Sequence, residues 1–515
     1  MAHLQRPKAS DTDWRRAIEA APVRDVARLS ALDHAPVMSA RLGNHVTFKR
    51  EDQQPVFSFK LRGAYTRLAA LSAEERARGV LAVSAGNHAQ GMAMGAAALG
   101  LDCVIVMPVT APRIKVDGVR AHGARAVLHG DSFDDAQGLA RKMAEDEGRT
   151  IVPPFDDPLV IAGQGTVAME MLSQVPRAEW PDVVFIPVGG GGLCAGMAAY
   201  IKAVAPHITV VAVEPEDAAC FHAARQAGHP VDLDHVGLFV DGCAVRRVGA
   251  NTFDVMNPLV DEVMTVDTDA VCAAIRAVFE DTRTVAEPAG ALAIAGMMAW
   301  VARTGTKGKR LSAVLSGSNT NFDRIPYMVE RAEAGTEAEA LFGVEIPEQK
   351  GAFLSLIRLI GRRPVSEFNY RHRQSARAQV FVGIALSGGE TERAQLAETL
   401  REAGDAVVDL THNEVARLHV RHMVGGSSTG IARERLFRFE FPERPGALLY
   451  FLERLGERWN ITMFHYRNRG AAYGRVLCGF SVNEDEDAEL RADLAAVGYW
   501  YAEETANPAL ERFLG

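Results

Sequence analysis

From Val46 to about Leu315, short aliphatic runs alternate with segments whose apolar residues recur at helical spacing. That alternation predicts a mostly parallel sheet covered by helices. Val80-Leu81-Ala82-Val83, Val104-Ile105-Val106-Met107, Val183-Val184-Phe185-Ile186, Val210-Val211-Ala212-Val213 and Leu311-Ser312-Ala313-Val314-Leu315 read as buried strands. Between them, His88 to Leu99 reads as an Ala- and Met-rich helix. Phe133, Ala136, Ala140 and Met143 keep helical spacing behind the polar start Asp131-Ser132.

The character changes after about Tyr327. Glu330 to Ala340 is rich in Ala and Glu and is expected to be a helical or solvated linker. An internal repeat follows. Leu341-Phe342-Gly343-Val344-Glu345-Ile346-Pro347 alternates like a strand, and so does Leu436-Phe437-Arg438-Phe439-Glu440-Phe441-Pro442, about 95 residues later. Each run leads into Glu-x-x-Gly-Ala and then a helix with Leu and Ile at helical spacing. A second strand closes each copy, with Phe368-Asn369-Tyr370-Arg371 answering Phe464-His465-Tyr466-Arg467. Two small α+β modules are expected, joined through the flexible run Val424-Gly425-Gly426-Ser427-Ser428.

Composition narrows the class. A 515-residue chain that is 48% hydrophobic has material for about three domains. Its net charge of -9 is spread along the length without long runs of one sign, which argues against nucleic-acid and membrane partners and for small-molecule ligands. No apolar run approaches the roughly 20 residues of a membrane helix. The first thirty residues carry Asp11, Asp13, Glu19 and Asp25 among arginines, unlike a secretory or transit signal, so a cytoplasmic location is expected. Six cysteines without CxxC pairing read as reduced, buried thiols.

Four stretches carry chemistry. In Ser58-Phe59-Lys60-Leu61-Arg62-Gly63-Ala64, a lysine lies among apolar neighbours with an arginine two places on, a setting that would depress its pKa and allow a Schiff base. The alternative is a lysine that snorkels its charge to water. Gly189-Gly190-Gly191-Gly192-Leu193 joins a strand to a helix, where converging N–H groups and the helix end would hold a phosphate. The same run fits a dinucleotide fingerprint, Gly190-x-Gly192-x-x-Ala195 with Glu214 ending the next strand, so an NAD-binding oxidoreductase is the second reading. Ser84-Ala85-Gly86-Asn87-His88-Ala89-Gln90-Gly91 follows a strand and opens a helix, with amides suited to a carboxylate and an Asn87 amide suited to a ring hydroxyl. His88 fits a capped or core-satisfied imidazole better than a general base. Ser316-Gly317-Ser318-Asn319 follows the last strand, where Ser316 is either a helix cap or a partner for a heterocyclic nitrogen.

Lysine, carboxylate loop, phosphate cup and terminal serine, in that order, suit pyridoxal phosphate. These residues resemble the β-family (fold type II) pyridoxal-phosphate enzymes, and most closely the biosynthetic threonine dehydratases. The resemblance runs through Lys49-Arg50-Glu51-Asp52, the lysine motif, SAGNHAQG, VPPFDDPLVIAGQGT (152–166), PVGGGGL, AEPAGALA, LSGSN and both repeats. It implies a fold type II catalytic domain over residues 1–330, with two parallel-sheet lobes like those of tryptophan synthase β. Two ACT-like regulatory domains, 339–411 and 434–506, would follow. It implies further that Lys60 joins pyridoxal 5'-phosphate, that Gly189, Gly190, Gly191, Gly192 and Leu193 bind its phosphate, that Asn87 meets its 3'-oxygen and that Ser316 meets its ring nitrogen. Ser84, Ala85, Gly86 and His88 would then receive the substrate carboxylate. The implied reaction is conversion of L-threonine to 2-oxobutanoate and ammonia, with Lys60 removing the α-proton. Glu287 would lie near the ring.

Departures from relatives sharpen the expectation. Serine racemases of this fold resemble the loop but carry a second serine where this chain has Ala85, which disfavours racemisation. Some relatives bind a divalent cation through an acid-Pro segment like Glu214-Pro215 and a second acid six residues on. Here that position is Cys220, and no metal is expected. Two C-terminal repeats resemble the isoleucine-inhibited biosynthetic form, which implies isoleucine and valine as effectors, Phe368, Tyr370, Phe464 and Tyr466 as candidate effector residues, and a homotetramer. A purely structural dimerisation unit and an amino-acid sensor without catalysis are the remaining alternatives.

Overall fold

In the computed structural model, which describes residues 13–335, 339–347, 352–361, 363, 365–370, 377–404, 406–420, 433–442, 450–451, 454–455, 458–467 and 473–513, the aliphatic runs become the strands of two parallel sheets. The chain divides after Met328. In the first unit the strands, in chain order, are β1 (Leu32–His34), β2 (His45–Arg50), β3 (Val80–Val83), β4 (Cys103–Met107), β5 (Arg125–Leu128), β6 (Thr150–Ile151), β7 (Val183–Pro187), β8 (Thr209–Pro215), β9 (Glu262–Val266) and β10 (Arg310–Leu315). One lobe holds the sheet β5-β4-β3-β6 and the other β1-β2-β10-β7-β8-β9. Only the pair β1 and β2 is antiparallel.

Every residue of β3, β4 and β7 is buried, as continuous aliphatic composition requires of strands covered on both faces. Exposed and half-buried positions gather on β1, β5, β6 and β9, the sheet edges. Helices Asn87–Ala98, Phe133–Glu147 and Gly192–Val204 begin within a residue or so of their expected starts. The second starts with a capping box, the Ser132 hydroxyl accepting from the Asp135 amide while the Asp135 carboxylate accepts from Ser132.

The lysine stretch forms helix Lys60–Ala69, which crosses helix Pro158–Ser173 at near backbone contact. The longer helix is started by Asp157, whose carboxylate accepts from the amides of Leu159 and Val160, with Pro158 in the first turn. At the crossing, a Cβ on Gly163 would lie 2.6 Å from the Arg62 carbonyl oxygen and 2.7 Å from Gly63 Cα. Glycine is what permits this approach.

The second unit carries the repeat. Strands β11 (Glu339–Pro347), β12 (Val365–Tyr370), β13 (Arg377–Ala385) and β14 (Ala406–Asp409) form an antiparallel sheet in the order β12-β13-β11-β14. Strands β15 (Glu434–Pro442), β16 (Asn460–Arg467), β17 (Tyr473–Ser481) and β18 (Trp500–Glu503) repeat it as β16-β17-β15-β18. Even the register shifts recur, between Val365 and Glu367 and between Ile461 and Met463. The linker expected to run to Ala340 stops sooner: Glu339 and Ala340 are buried residues of β11, because they pair with Ala385 and Ile384 of β13 and Ala340 packs into the sheet's core. Of the two Glu-x-x-Gly-Ala turns only Ala352 is described; the rest, the second module's following helix apart from residues 450–451 and 454–455, and the run 424–428 lie outside the described residues.

The two modules share one apolar seam. Leu341, Phe381, Leu410, Val415, Ala416 and Val420 of the first pack with Leu436, Leu477, Ala509 and Leu510 of the second. At this seam the Asn413 amide donates to Asn507 Oδ1 (3.1 Å), and the two residues hold equivalent places in the repeat. All six cysteines are free and buried. Among the described residues no helix is long and apolar enough to cross a membrane.

The helix crossing gives a direct test. Gly163→Ala should destabilise the protein by about 1–3 kcal/mol, because an added methyl has no room against backbone. Thermal denaturation of the two proteins measures it, and an unchanged midpoint would contradict the crossing geometry.

Candidate active site

The lysine turn is stitched to the end of β10 by main-chain bonds. Ser58 bridges Gly317, the Phe59 amide donates to the Ser316 carbonyl (3.3 Å), and the Ser318 amide donates to the Phe57 carbonyl (3.0 Å). Phe57 adopts φ 55°, a left-handed conformation that costs a phenylalanine energy and is held by these bonds. Lys60 is therefore fixed beside Ser316, although 256 residues separate them in sequence.

Lys60 is half-buried. Its Nζ donates to the Pro154 carbonyl (3.2 Å) and stands 5.2 Å from the centre of the Phe59 ring. Burial lowers its pKa to about 8, against the opposing pull of Cys243 and Glu287. At pH 7 roughly a tenth of such amines are neutral, some hundreds of times more than for lysine in water. Arg62, expected from its spacing to help depress that pKa, contributes nothing to the shift. Its guanidinium is turned onto Glu51 and Glu170.

The glycine run forms a closed cup. Gly191 has φ 93° and caps helix Gly192–Val204 without a side chain. A Cβ on Gly190 would lie 2.2 Å from the Phe155 ring, and one on Gly189 2.8 Å from Cys243 Cα. Leu193 is buried behind them. The cup's shape is held from outside: Thr252 Oγ1 donates to the Gly190 carbonyl (2.7 Å), and the Asp156 carboxylate accepts from the amides of Ala250, Asn251 and Thr252. The tripeptide Pro154-Phe155-Asp156 thus touches the lysine, the cup and the helix Ala250–Leu259 that braces the cup.

Asn87 opens helix Asn87–Ala98 and takes part in a side-chain relay. Asn319 Nδ2 donates to Asn87 Oδ1 (2.8 Å), and Asn87 Nδ2 donates to Glu287 Oε1 (2.6 Å). Glu287 is buried, and burial together with the charge of Asp241 raises its pKa to about 7. In the loop before Asn87, the Ser84 amide is committed to the Val106 carbonyl and the Gly86 amide donates to Ser84 Oγ (3.2 Å). Ala85 lies between them, half-buried. The His88 ring is buried on the Val152 carbonyl (3.1 Å), and burial drops its pKa to about 3, so the imidazole is neutral. Ser316 Oγ donates to the Ala289 carbonyl (3.1 Å).

Lys60, Asn87, the cup and Ser316 all belong to this one unit. Phe368 and Tyr370 lie on β12 and Phe464 and Tyr466 on β16, with side chains outside the described residues. Glu214 is fully buried and its two oxygens accept from the amides of Phe221 and His222 (both 2.7 Å), starting helix Cys220–Ala227. Those oxygens are thereby taken up by protein amides, against the dinucleotide reading. Cys220 Sγ faces the Gly189 carbonyl at 3.4 Å. Among the described residues no three His, Cys, Asp or Glu side chains gather as metal ligands would. Phe155, Asp156, Thr252 and Asn319 were not singled out from sequence. The first two lie in the VPPFDDP run, whereas nothing local marks Thr252.

A half-buried lysine of lowered pKa beside a strand-to-helix glycine cup, in a two-lobed α/β unit, defines an enzyme that holds a phosphorylated carbonyl compound. Residues 23–317 match the family described as pyridoxal-phosphate dependent enzyme, and residues 330–420 and 425–514 each match the C-terminal regulatory domain of threonine dehydratase. The chain is 50% identical over 502 residues to L-threonine dehydratase biosynthetic IlvA of Escherichia coli (strain K12), covering 98% of this chain and 97% of that protein. It is 45% identical over 515 residues to the mitochondrial threonine dehydratase of Saccharomyces cerevisiae, covering 98% and 89%. The processed form of threonine deaminase isoform 2 from Solanum lycopersicum superposes with a TM-score of 0.60 at 44% identity, over 62% of this chain and 92% of that one. The chain belongs to the biosynthetic threonine dehydratases, within the pyridoxal-phosphate dependent enzymes.

The residues present fit that cofactor. The cup is closed to side chains and lies at a helix start that no side chain caps, where free amides would receive an anion. The hydroxyl of Ser58, two residues from Lys60, is buried without a hydrogen-bond partner among the described residues, a polar atom that an added polar group could satisfy.

The lowered pKa predicts how cofactor-free protein captures pyridoxal phosphate. Only the neutral amine attacks, so the rate should climb about ninefold from about pH 6 to about pH 7 and level off above about pH 8. Stopped-flow absorbance follows the capture. A rate flat across that range would mean that the amine's proton does not control it.

Proposed function

We propose that this chain is an L-threonine ammonia-lyase, converting L-threonine to 2-oxobutanoate and ammonia by α,β-elimination as the committed step of isoleucine biosynthesis, and inhibited by isoleucine through its C-terminal repeats. The reading is supported above all by the presence in one chain of the Lys60 site and two copies of a regulatory domain described for threonine dehydratase. Residues 1–330 would form the catalytic domain, and 339–411 and 434–506 the regulatory modules of a cytoplasmic homotetramer.

Pyridoxal phosphate, when bound, supplies an electron sink for the bond broken at the substrate α-carbon. Lys60 would be the residue that holds it covalently. Gly189 to Leu193 would receive its phosphate, Asn87 its 3'-oxygen and Ser316 its ring nitrogen. Ser316 is a neutral hydroxyl, and a neutral partner does not enforce a protonated ring as an aspartate would, which favours prompt elimination. The threonine carboxylate is received by Ser84, Ala85, Gly86 and the helix start at Asn87 and His88, where the macrodipole adds positive potential. The Lys60 amine, when free, would take the α-proton onto Nζ. Its pKa near 8 suits it both to accept that proton and to release it. Ala85 offers no hydroxyl to protonate the opposite face, which keeps the reaction on elimination.

Isoleucine is proposed to bind the repeats, with valine opposing it and Phe368, Tyr370, Phe464 and Tyr466 as candidate contacts. A coupling of about 1–3 kcal/mol would shift threonine affinity some 5- to 150-fold.

The purified protein should be yellow, and Lys60→Ala should abolish both turnover and visible absorbance. Protein that stays colourless but binds NADH at ordinary affinity would restore the dinucleotide reading. The specificity constant should be higher for threonine than for serine, the methyl being worth about 1–3 kcal/mol, and the reverse order would overturn the substrate assignment. Truncation near residue 338 should leave activity that no longer responds to isoleucine. Inhibition that persists after truncation would move the effector to the catalytic domain.

A further inference from the structure

In the run Lys49-Arg50-Glu51-Asp52, Lys49 and Glu51 have none of the roles above, yet their side chains converge under the lysine helix. Arg62 donates Nε and Nη2 to the two oxygens of Glu51 (2.8 and 2.9 Å) and Nη1 and Nη2 to the two oxygens of Glu170 (2.8 and 2.7 Å). Nη1 also reaches Thr166 Oγ1 (3.1 Å). Lys49 Nζ donates to Glu170 (3.2 Å), to the Ser30 carbonyl (2.7 Å) and to Gln174 Oε1 (2.9 Å), while Glu51 accepts from the Ser30 hydroxyl (2.6 Å). Lys49, Glu51 and Arg62 are 0% exposed and Glu170 2%. Two positive and two negative groups balance, all withdrawn from water.

We infer that Arg62 is a positioning residue for Lys60: this four-charge clamp fixes the first turn of the lysine helix, so that the amine leaves the other side of that turn at one defined place. The inference rests on the reading of Lys60 as the residue that holds the cofactor. Residues two apart on a helix do not share a face, so a grip on Arg62 constrains Lys60 without touching it. The helix has no side-chain cap at its start to do this instead. The clamp ties that turn to β2, through Lys49 and the adjoining Glu51, and to helix Pro158–Ser173 through Glu170. Buried ion clusters are often replaceable by apolar packing without loss of stability, whereas a planar guanidinium gripped by two carboxylates also fixes direction. Being neutral overall, the clamp acts on the lysine through its position, and an amine displaced from that position would be buried differently and hold its proton differently.

The test uses the full-length holoenzyme. Arg62→Lys keeps the charge but offers one ammonium in place of the fork, and Glu170→Gln keeps the shape but loses one charge. Ile208→Ala, in the core of the large lobe and away from this helix, serves as a control of general destabilisation. Thermal midpoint, kcat and KM for threonine, and the pH midpoint of the visible chromophore are measured for each. The first two variants should lose kcat by about 10- to 100-fold, as a misplaced reacting group does, with KM changed far less and the chromophore midpoint shifted. Ile208→Ala should lower only the thermal midpoint. Either clamp variant with kcat and chromophore midpoint unchanged, or an Ile208→Ala protein with the same kinetic defect, overturns the inference. If Arg62→Lys does not fold, the isosteric Glu170→Gln decides alone. A Lys60→Ala protein that keeps its chromophore would instead refute the reading of Lys60, whatever the clamp variants do.

Discussion

Everything in the catalytic unit answers to one constraint: an amine that water would keep charged has to be neutral often enough to react. Burial does this for Lys60, lowering its pKa to about 8. Burial alone is not enough, because a lysine has four rotatable bonds and an apolar pocket does not aim it. The structure supplies direction separately. Backbone bonds fasten the turn before the lysine to the segment after β10, and a buried ionic cluster holds the turn after it. Charge and position are thus set by different atoms.

The glycine cup shows the same division. Its amides come from four successive residues, but its walls come from Phe155, Cys243 and Thr252, which lie far away in the chain. Asp156 caps the helix that carries Thr252, so the segment whose Pro154 carbonyl meets the lysine amine also braces the glycine cup. Lysine and cup are positioned as one assembly.

Legibility in the sequence followed burial. β3, β4, β7, β8 and β10, covered by helices, were readable as aliphatic runs. β1, β5, β6 and β9 were not, because edge strands admit residues such as Arg125, Thr150 and Glu262 that break the pattern. The site divides likewise. Lys60, Asn87, the glycines and Ser316 stand at strand ends or helix starts, where punctuation is local and visible. Thr252 is set by tertiary contact, and no spacing announces it. Glu214 is the instructive case: its place at the end of a strand suggested a ribose ligand, but its oxygens accept from two amides of the helix that follows. Arg62 was read as an electrostatic neighbour of Lys60 and is instead bound on the far side of the helix.

The seam between the two repeats bears on how such a chain can change over generations. Asn413 and Asn507 hold equivalent places and bond to each other, and around them the apolar faces of the two copies cover one another. Once a duplicated module has become its twin's hydrophobic cover, loss of either copy leaves an uncovered apolar face of the kind that drives association. A descendant with a single repeat would have to borrow the missing half from another chain. Shortening the gene would in this way turn a contact within one molecule into a contact between two, and make regulation depend on protein concentration.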